Sequence, residues 1–404
     1  MLLFENKQQK LLNFLKFTGS PFKKFVSTGE IKEDLGLVQS RQDLLYSIIN
    51  VIEKDRNFIL PIIGDVGTGK THLYWALKHE LYYYNIVYIS LEEVVKKFYY
   101  YIYSEFIENM GIDILRNITR SLCNNWGALE RKFGFFHLAD LEKVRDVAFR
   151  DWAPEFEYKT AIRDIINAFT AHQIDPYKKI DVERWFLGEV IDIRELSRLD
   201  LSHDLRGSNH SFTMLKILIE NSMINSVLFI DDFEKVISMM KPISIEEEKE
   251  EVFDRSWLYG SKESPEKHKA EKLFDKILKL NQIKGLRIII TLKSIEYFDE
   301  IKEMLESDYN LLNILKEPVL LSNFIEKDLS TFYKKNLEFF FGNINYFDYF
   351  RDFSDSYFPL NEEVLKDIYN KSKGNPREII KILNKIFNEI VLSNEDLDEI
   401  LKHY

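Results

Sequence analysis

Short apolar runs recur along the chain, and longer stretches with helical spacing separate them. The runs begin near residues 58, 86, 226, 286 and 318. Each has the length and branched-chain content typical of a buried strand in a parallel sheet. Apolar residues three or four positions apart predict helices over residues 2–17, 44–52 and 72–84. Strands that alternate with helices in this way predict an α/β fold built on a parallel sheet.

Two other regions have helical spacing and almost no strand signal. Residues 92–222 are broken by glycines and prolines and are predicted to form a large helical insertion. Residues from 322 onward are predicted to form a C-terminal helical domain. The aromatic group Phe133, Phe135 and Phe136 in the insertion is expected to pack in a core, because large apolar side chains dominate protein interiors.

A glycine-rich segment follows the first apolar run and precedes a predicted helix. Residues 64–71 read G-x-x-x-x-G-K-T, the pattern of a phosphate-binding loop in its strand–loop–helix context. Glycines let successive backbone N–H groups point at phosphate oxygens, Lys70 can reach the β- and γ-phosphates, and the Thr71 hydroxyl can ligate Mg²⁺. The predicted nucleotide-binding residues here are Gly64, Asp65, Val66, Gly67, Thr68, Gly69, Lys70, Thr71 and His72.

Acidic residues follow the third apolar run, Val227–Ile230. Asp231 is in the position of a Walker B aspartate, which holds Mg²⁺ directly or through water. A second carboxylate is expected to polarise the attacking water; Asp232 is the first choice and Glu234 the alternative. The next run ends in Thr291, a polar group suited to sensing the γ-phosphate.

The segment Gly374-Asn-Pro-Arg377 lies between two predicted helices of the C-terminal domain. Pro376 suits the first turn of a helix, which places Arg377 in that turn. A cation there is unfavourable for the helix dipole, so an external anion is the expected partner of Arg377.

Composition and charge narrow the class of protein. Hydrophobic content is 45%, charged content is 30% and net charge is −11, which fits a globular chain and argues against coating of nucleic acid by the whole surface. The one cysteine, Cys123, is expected to be a small buried residue. No apolar run approaches the ~20 residues of a membrane span. These features, with an N-terminus unlike a signal peptide, predict a cytoplasmic protein with no membrane partner.

Together these motifs resemble an AAA+ ATPase, closest to the origin-recognition and replication-initiator branch. Val38-Gln-Ser-Arg-Gln-Asp43 resembles the Gly-Arg-x-x-Glu box that opens such domains, with Ser40 in place of the glycine. The resemblance implies a P-loop NTPase sheet of order 5-1-4-3-2 and a helical lid. ATP would lie with adenine beside Leu37 and Val38, and Arg377 would reach the γ-phosphate. The implied organisation is an N-terminal helical segment (1–35), an AAA+ domain (36–321) interrupted by the insertion 92–222, and a lid (322–404).

A second resemblance, to ATP-binding proteins of BREX-type phage-defence systems, rests on Arg184–Glu189 upstream of Walker B in the insertion. AAA+ rings also use an arginine finger from a neighbouring subunit. Between residues 256 and 350 the one arginine is Arg287, which precedes the sensor strand. Lys302, Lys316, the insertion or a different protein are the alternatives for this role.

Two functions follow as hypotheses. In the first, an ATP- and Mg²⁺-dependent switch or remodelling ATPase acts on DNA or a nucleoprotein complex and oligomerises with nucleotide. In the second, the chain is a nucleotide-dependent assembly subunit with weak intrinsic ATPase activity, and its insertion 92–222 binds a protein partner. A small-molecule kinase on the same core would leave the Arg377 motif and the large insertion without a use.

Overall fold

The computed structural model describes residues 2–22, 38–91, 97–132, 135–138, 140–240, 265–306, 309–353, 356–393 and 395–404. Leu37 and Phe133, both singled out from the sequence, lie outside these ranges. The chain divides into two compact units. The first unit comprises residues 1–54, 62–80 and 318–404, and the second comprises residues 55–61 and 81–317.

The strands are β1 (Phe58–Ile63), β2 (Asn85–Ser90), β3 (Leu129–Lys132), β4 (Phe135–Leu138), β5 (Ser226–Asp231), β6 (Leu286–Leu292) and β7 (Val319–Leu320). Five of them form an all-parallel sheet in the order β2-β5-β6-β1-β7. These are the five strands that the apolar runs predicted. In the β2–β5 ladder, Ser90 pairs with Asp231, so the two strands reach the carboxyl edge of the sheet together.

The first half of the chain contains α1 (Leu2–Thr18), α2 (Gln39–Lys54), α3 (Lys70–Glu80), α4 (Phe98–Met110), α5 (Ile112–Asn125), α6 (Leu141–Trp152), α7 (Lys159–Ile174), α8 (Lys179–Phe186), α9 (Ile193–Arg198) and α10 (Ser208–Asn221). The second half contains α11 (Glu234–Met240), α12 (Pro265–Leu280), α13 (Ile295–Leu305), α14 (Tyr309–Ile314), α15 (Glu326–Asn343), α16 (Asp348–Phe353), α17 (Glu362–Ser372), α18 (Pro376–Leu392) and α19 (Leu397–Leu401). None of the helices in the described ranges combines the length and the apolar character needed to cross a bilayer.

Helix α1 belongs to the core of the C-terminal helices in the first unit. Its Leu11 and Leu15 are fully buried in one apolar cluster with Tyr333, Leu337 and Phe387. Full burial of a leucine side chain contributes about 1.5–3 kcal/mol, so this packing explains the apolar stripe of α1. The N-terminal helix is therefore part of the same core as α15 and α18.

The insertion is helical except for one antiparallel pair. Strands β3 and β4 form a two-stranded sheet in which Leu129 pairs with Leu138, a feature that the prediction of a helical insertion did not include. The strands are only four residues long, too short to show a period-2 pattern. Two residues, one of them Gly134, separate them in the sequence, and that spacing is a hairpin signal. The side chains of Phe135 and Phe136 lie outside the described features.

Cys123 in α5 is buried, as expected. Burial raises the pKa of its thiol to about 12, because the charged thiolate is disfavoured in an apolar environment. The thiol therefore stays protonated at neutral pH, and Cys123 is a packing residue of the insertion.

Candidate functional site

The phosphate-loop sequence of the first unit forms a compact turn between β1 and α3. Gly67 and Gly69 have φ values of +85° and +105°, a region that residues with a side chain rarely adopt. Thr68 closes the turn, because its backbone N–H and its hydroxyl both donate to the Asp65 carbonyl, at 3.3 and 2.8 Å. The Lys70 ammonium lies across the loop and donates to the Gly64 carbonyl at 2.6 Å.

Helix α3 begins at Lys70, so its first N–H groups lie at the end of this turn. Leu73 N–H donates to the Gly69 carbonyl and closes the first helical turn. The amides of Lys70, Thr71 and His72 precede that bond, at the positive end of the helix dipole. A helix start of this kind is a common site for phosphate oxygens, and phosphate binding here stays a prediction from the sequence.

The Gly374–Arg377 segment contacts the phosphate loop directly. Asn375 Nδ2 donates to the Val66 carbonyl at 2.8 Å, and Arg377 N–H donates to the Gly67 carbonyl at 3.2 Å. The other end of the Asn375 amide caps α18, since its Oδ1 accepts from Arg377 N–H at 3.1 Å. One side chain therefore joins the start of α18 to the loop.

Two positions at this junction, Gly67 and Gly374, have no room for a side chain. A Cβ on Gly67 would lie 2.6 Å from Asn375 Oδ1 and 2.8 Å from Arg377 Cβ. A Cβ on Gly374 would lie 2.1 Å from the Phe324 carbonyl oxygen. The left-handed C-cap of α17 is Lys373, and the next residue, Gly374, allows the close approach of the chain to Phe324.

The Arg377 side chain is exposed and forms no side-chain hydrogen bond or ion pair with any residue that the structure describes. It begins a helix whose dipole disfavours a cation at that position. Glu378 in the same turn has the sign that the dipole favours, and it forms an ion pair with Lys381 at 2.7 Å. An anionic ligand for Arg377 stays a prediction.

Arg41 in α2 contacts the phosphate loop, a role that was not predicted for it from the sequence. Its guanidinium donates to the carbonyls of Thr68 and Ser322, and it stacks on the Phe324 ring at 5.2 Å. Burial lowers its pKa from the ordinary value, and the Asp328 carboxylate opposes that effect. Ser40, which takes the place of the glycine in the Gly-Arg-x-x-Glu box, donates its hydroxyl to the Asp328 carboxylate at 3.0 Å. Residues 38–43 therefore contact both the phosphate loop and the segment that follows β7.

An apolar cavity lies beside the loop within the first unit. Val38, expected beside adenine, is part of its wall. Its lining comprises Val38, Arg41, Thr68, Gly69, His72, Leu73, Leu321, Phe324, Phe332, Pro376 and Ile380. Small-molecule sites typically combine apolar walls with a few fixed polar groups. The lining therefore suits a flat heteroaromatic group next to the phosphate-binding turn.

In the second unit, the carboxylate of Asp231 is buried and held from both sides. Tyr88 on β2 donates its hydroxyl to Asp231 Oδ2 at 2.8 Å, and Thr291 on β6 donates its hydroxyl to Oδ1 at 2.5 Å. Asp231 is 4% exposed and Thr291 is fully buried. The Thr291 hydroxyl is thus bonded to the carboxylate. The role of Tyr88 was not predicted from the sequence, because a single tyrosine inside a strand does not belong to any recognisable motif.

Asp232 and Glu234, the two candidates for the water-polarising carboxylate, follow Asp231 closely in the sequence. Asp232 has φ of +58°, and its N–H donates to Thr291 Oγ1 at 3.0 Å. Its carboxylate forms an ion pair with Lys235 at 3.4 Å and is half-buried. Glu234 is the first residue of α11 and is also half-buried. A non-glycine residue held at positive φ is typical of functional sites, which favours Asp232.

The cationic side chains considered for the finger role lie in different surroundings. Arg287 is buried at the start of β6, where its Nε donates to the Asp55 carbonyl at 3.0 Å. Lys316 forms an ion pair with Asp55 at 2.7 Å. Lys302 on α13 is exposed. Arg287 is therefore a structural cation of the second unit.

The donors predicted for the metal are the Thr71 hydroxyl and the Asp231 carboxylate. Both supply oxygen atoms, the ligand type that Mg²⁺ prefers. Tyr88, Thr291 and the Asp232 N–H already donate to the Asp231 carboxylate, which is 4% exposed and so has little surface for direct contact with a metal. The carboxylate is suited to accepting hydrogen bonds from metal-bound water more than to direct coordination.

Comparison with known proteins gives distant structural likenesses and no sequence match. No protein-family model and no curated protein match the chain. Among solved structures, the chain is similar to the Walker-type ATPase paby2304 of Pyrococcus abyssi, with 12% identity, 91% of this chain and 71% of that chain covered, and a TM-score of 0.37. At that TM-score, no function is inferred from the likeness. The function proposed below rests on the residues of the site.

Proposed function

We propose that the chain is an ATPase that binds Mg²⁺–ATP at the loop Gly64–Thr71. The observation that carries this proposal is the loop itself, where the tight turn at Gly67 and Gly69 leads into the start of α3, the Lys70 ammonium lies across the turn, and an apolar cavity lies beside it. Phosphates would bind the amides and Lys70, and the base would enter the cavity beside Val38. Arg377 would contact the γ-phosphate, a role that its unpaired side chain supports.

The carboxylate cluster would complete the chemistry. Mg²⁺ would be held by Thr71, and Asp231 would bind the metal's water ligands. Asp232, or Glu234 as the alternative, would polarise the water that attacks the γ-phosphorus. Thr291 would position Asp231 and Asp232, because its hydroxyl bonds to both of them.

Membership of the AAA+ class is the finer proposal. When the five strands of the large sheet are numbered along the chain, their observed order reads 5-1-4-3-2, which supports it. The contact of Asn375 and Arg377 with the phosphate loop supports a lid with a sensor 2 function. The AAA+ class would also make nucleotide-dependent oligomers the expected assembly.

One feature of the insertion supports action on nucleic acid. A cavity of about 270 Å³ is lined by Arg116, Arg120, His172, Gln173, Pro176 and Lys179. Arg120 and Lys179 form no ion pair with a described residue, and Tyr177 beside them is 95% exposed. Free cations next to an exposed aromatic ring suit phosphates and a stacked base.

The alternative, an assembly subunit with a protein partner, rests on exposed apolar side chains in the same part of the insertion. Tyr177, Ile180, Val190 and Ile193 are 95%, 73%, 64% and 86% exposed. A concentration of large apolar groups on a surface marks an interaction site.

ATP hydrolysis by wild type, Asp232→Asn and Glu234→Gln tests the proposed reaction, with and without duplex or single-stranded DNA. Light scattering with and without nucleotide reports assembly in the same samples. DNA-stimulated turnover that falls in an Arg120→Ala, Lys179→Ala double variant supports action on nucleic acid. Tight ATP binding, slow turnover and no effect of DNA support the assembly subunit. Absence of ATP binding rejects both.

A further inference from the structure

A second cluster of metal-ligand residues lies within the insertion. Asp164 on α7, His203 in the loop before α10 and His210 in the first turn of α10 each offer one ligand atom, and these atoms lie within 4.8 Å of one another. Asp164 and His210 are 3% and 6% exposed, whereas His203 is exposed. The cluster is thus a largely buried group with one open side.

One oxygen of Asp164 anchors the loop. Asp164 Oδ2 accepts from Ser202 N–H at 3.1 Å, the Ser202 hydroxyl at 2.6 Å, His203 N–H at 3.1 Å and His210 Nε2 at 2.9 Å. The other carboxylate oxygen of Asp164, Oδ1, accepts no hydrogen bond within the described part of the chain.

The hydrogen bonds also assign the tautomer of His203. The Ser202 hydroxyl gives its proton to Asp164, so its oxygen can only accept from His203 Nδ1, 2.9 Å away. Nδ1 therefore carries the proton of the neutral ring, and Nε2 keeps its lone pair. A ring fixed in this way by a hydrogen bond from its other nitrogen is the common arrangement of metal-ligating histidines.

The rings of His203 and His210 have their centroids 5.0 Å apart. The backbone that places His203 is fixed independently, since Trp185 Nε1 donates to the His203 carbonyl at 3.0 Å. Two ligand atoms on a tetrahedral zinc ion lie about 3.3 Å apart, given Zn–N and Zn–O distances near 2.0–2.2 Å. The 2.9 Å between His210 Nε2 and Asp164 Oδ2 is close to that separation, so small side-chain rotations would admit an ion.

We propose that Asp164, His203 and His210 form a binding site for a divalent transition metal of the zinc type. One ring nitrogen of each histidine and one carboxylate oxygen of Asp164 supply three ligands. His210 Nε2, which donates to Asp164 Oδ2 in the metal-free chain, releases its proton to solvent when it binds the ion. Water fills the fourth position on the exposed side of His203. Imidazole and carboxylate together suit zinc better than Mg²⁺ or Ca²⁺. The ion would tie α7 to the start of α10 and stabilise the insertion.

Titration with Co²⁺ tests the site, because tetrahedral Co²⁺ has a strong visible absorption and Zn²⁺ should displace it. The sample is the full chain without nucleotide, after removal of any affinity tag and treatment with a chelator. We expect one Co²⁺ per chain, a rise in melting temperature with Zn²⁺, and affinity at least about tenfold weaker in His203→Ala. His203 is exposed, so this variant should fold.

His268→Ala is the matched control, because His268 is also exposed and lies 3.8 Å from a carboxylate, that of Glu271, outside any such cluster. It should bind Co²⁺ as the wild type does. Absence of a tetrahedral Co²⁺ spectrum in the wild type, or an equal spectrum in His203→Ala, would overturn the proposal. The ATP-binding proposal is measured separately and is unaffected by either outcome.

Discussion

The Asn375 side-chain amide donates a 2.8 Å hydrogen bond to the Val66 carbonyl while its oxygen caps α18. Asn375→Ala removes both interactions. We expect a loss of about 1 kcal/mol in the free energy of unfolding, typical of a deleted N-cap, and weaker ATP binding because the loop loses its anchor. Asn361→Ala is the control, since it deletes a similar cap, on Val364 N–H of α17, with no contact to the loop. Equal ATP affinity in the two variants would contradict the role of Asn375 at the loop.

Gly67 can be compared with a glycine of the same backbone conformation in open space. Gly67 has φ of +85° and Gly285 has φ of +86°, but a Cβ on Gly285 meets nothing within 4 Å. Both alanine variants suffer the left-handed strain of about 1 kcal/mol. Gly67→Ala should lose more stability than Gly285→Ala, and it should lose ATP binding, because the loop must move away from Asn375. Urea unfolding and nucleotide titration of both variants measure the difference. Matching results for the two glycines would refute the close packing at Gly67.

Tyr88 is expected to position the Asp231 carboxylate. Tyr88→Phe removes the 2.8 Å hydrogen bond to Oδ2 and leaves the ring in place. Outer partners of metal sites alter metal affinity or activity by about 10–100-fold, so we expect a rise of about tenfold in the Mg²⁺ concentration needed for half-maximal hydrolysis. Tyr100→Phe deletes a comparable hydroxyl, which donates to the Gly188 carbonyl at 2.7 Å, and should leave the Mg²⁺ dependence unchanged. A Tyr88→Phe enzyme with wild-type Mg²⁺ dependence would exclude this role.

The insertion should lose stability in acid through Glu183. A hydrogen bond from Arg116 is the main cause that lowers the pKa of Glu183 from its ordinary 4.5 to about 2. Because the folded state has the lower pKa, this contribution is complete above pH 4.5 and disappears as the pH falls toward 2. Glu183→Gln should cost about 1 kcal/mol at pH 7, as for a partly exposed ion pair, and the cost should shrink below pH 4.5. Denaturant unfolding of wild type and Glu183→Gln at several pH values measures this loss in the free energy of unfolding. A loss that does not change with pH would contradict the proposed role of the Glu183 carboxylate.

The sequence predicted the parts of the fold whose signal is local. Runs of buried branched residues identified all five strands of the large sheet, and the glycine spacing of 64–71 identified the turn before α3. The contacts that join segments distant in the chain could not be predicted from the sequence. Arg41 on the Thr68 carbonyl, Tyr88 on Asp231 and Asn375 on Val66 each connect residues far apart in the chain, and their residue types have many other uses. The hairpin β3–β4 was missed because four-residue strands carry too little periodicity.

The most direct test of the central claim is Mg²⁺–ATP binding by wild type and Lys70→Ala, measured by calorimetry. Lys78→Ala, further along α3, is the control. We expect one ATP per chain for wild type and Lys78→Ala, and an affinity lower by roughly tenfold to a hundredfold for Lys70→Ala, since a hydrogen bond to a charged group contributes about 1.5–3 kcal/mol. Equal binding by Lys70→Ala, in a chain that unfolds at the same denaturant concentration as wild type, would show that the loop is not where the nucleotide binds.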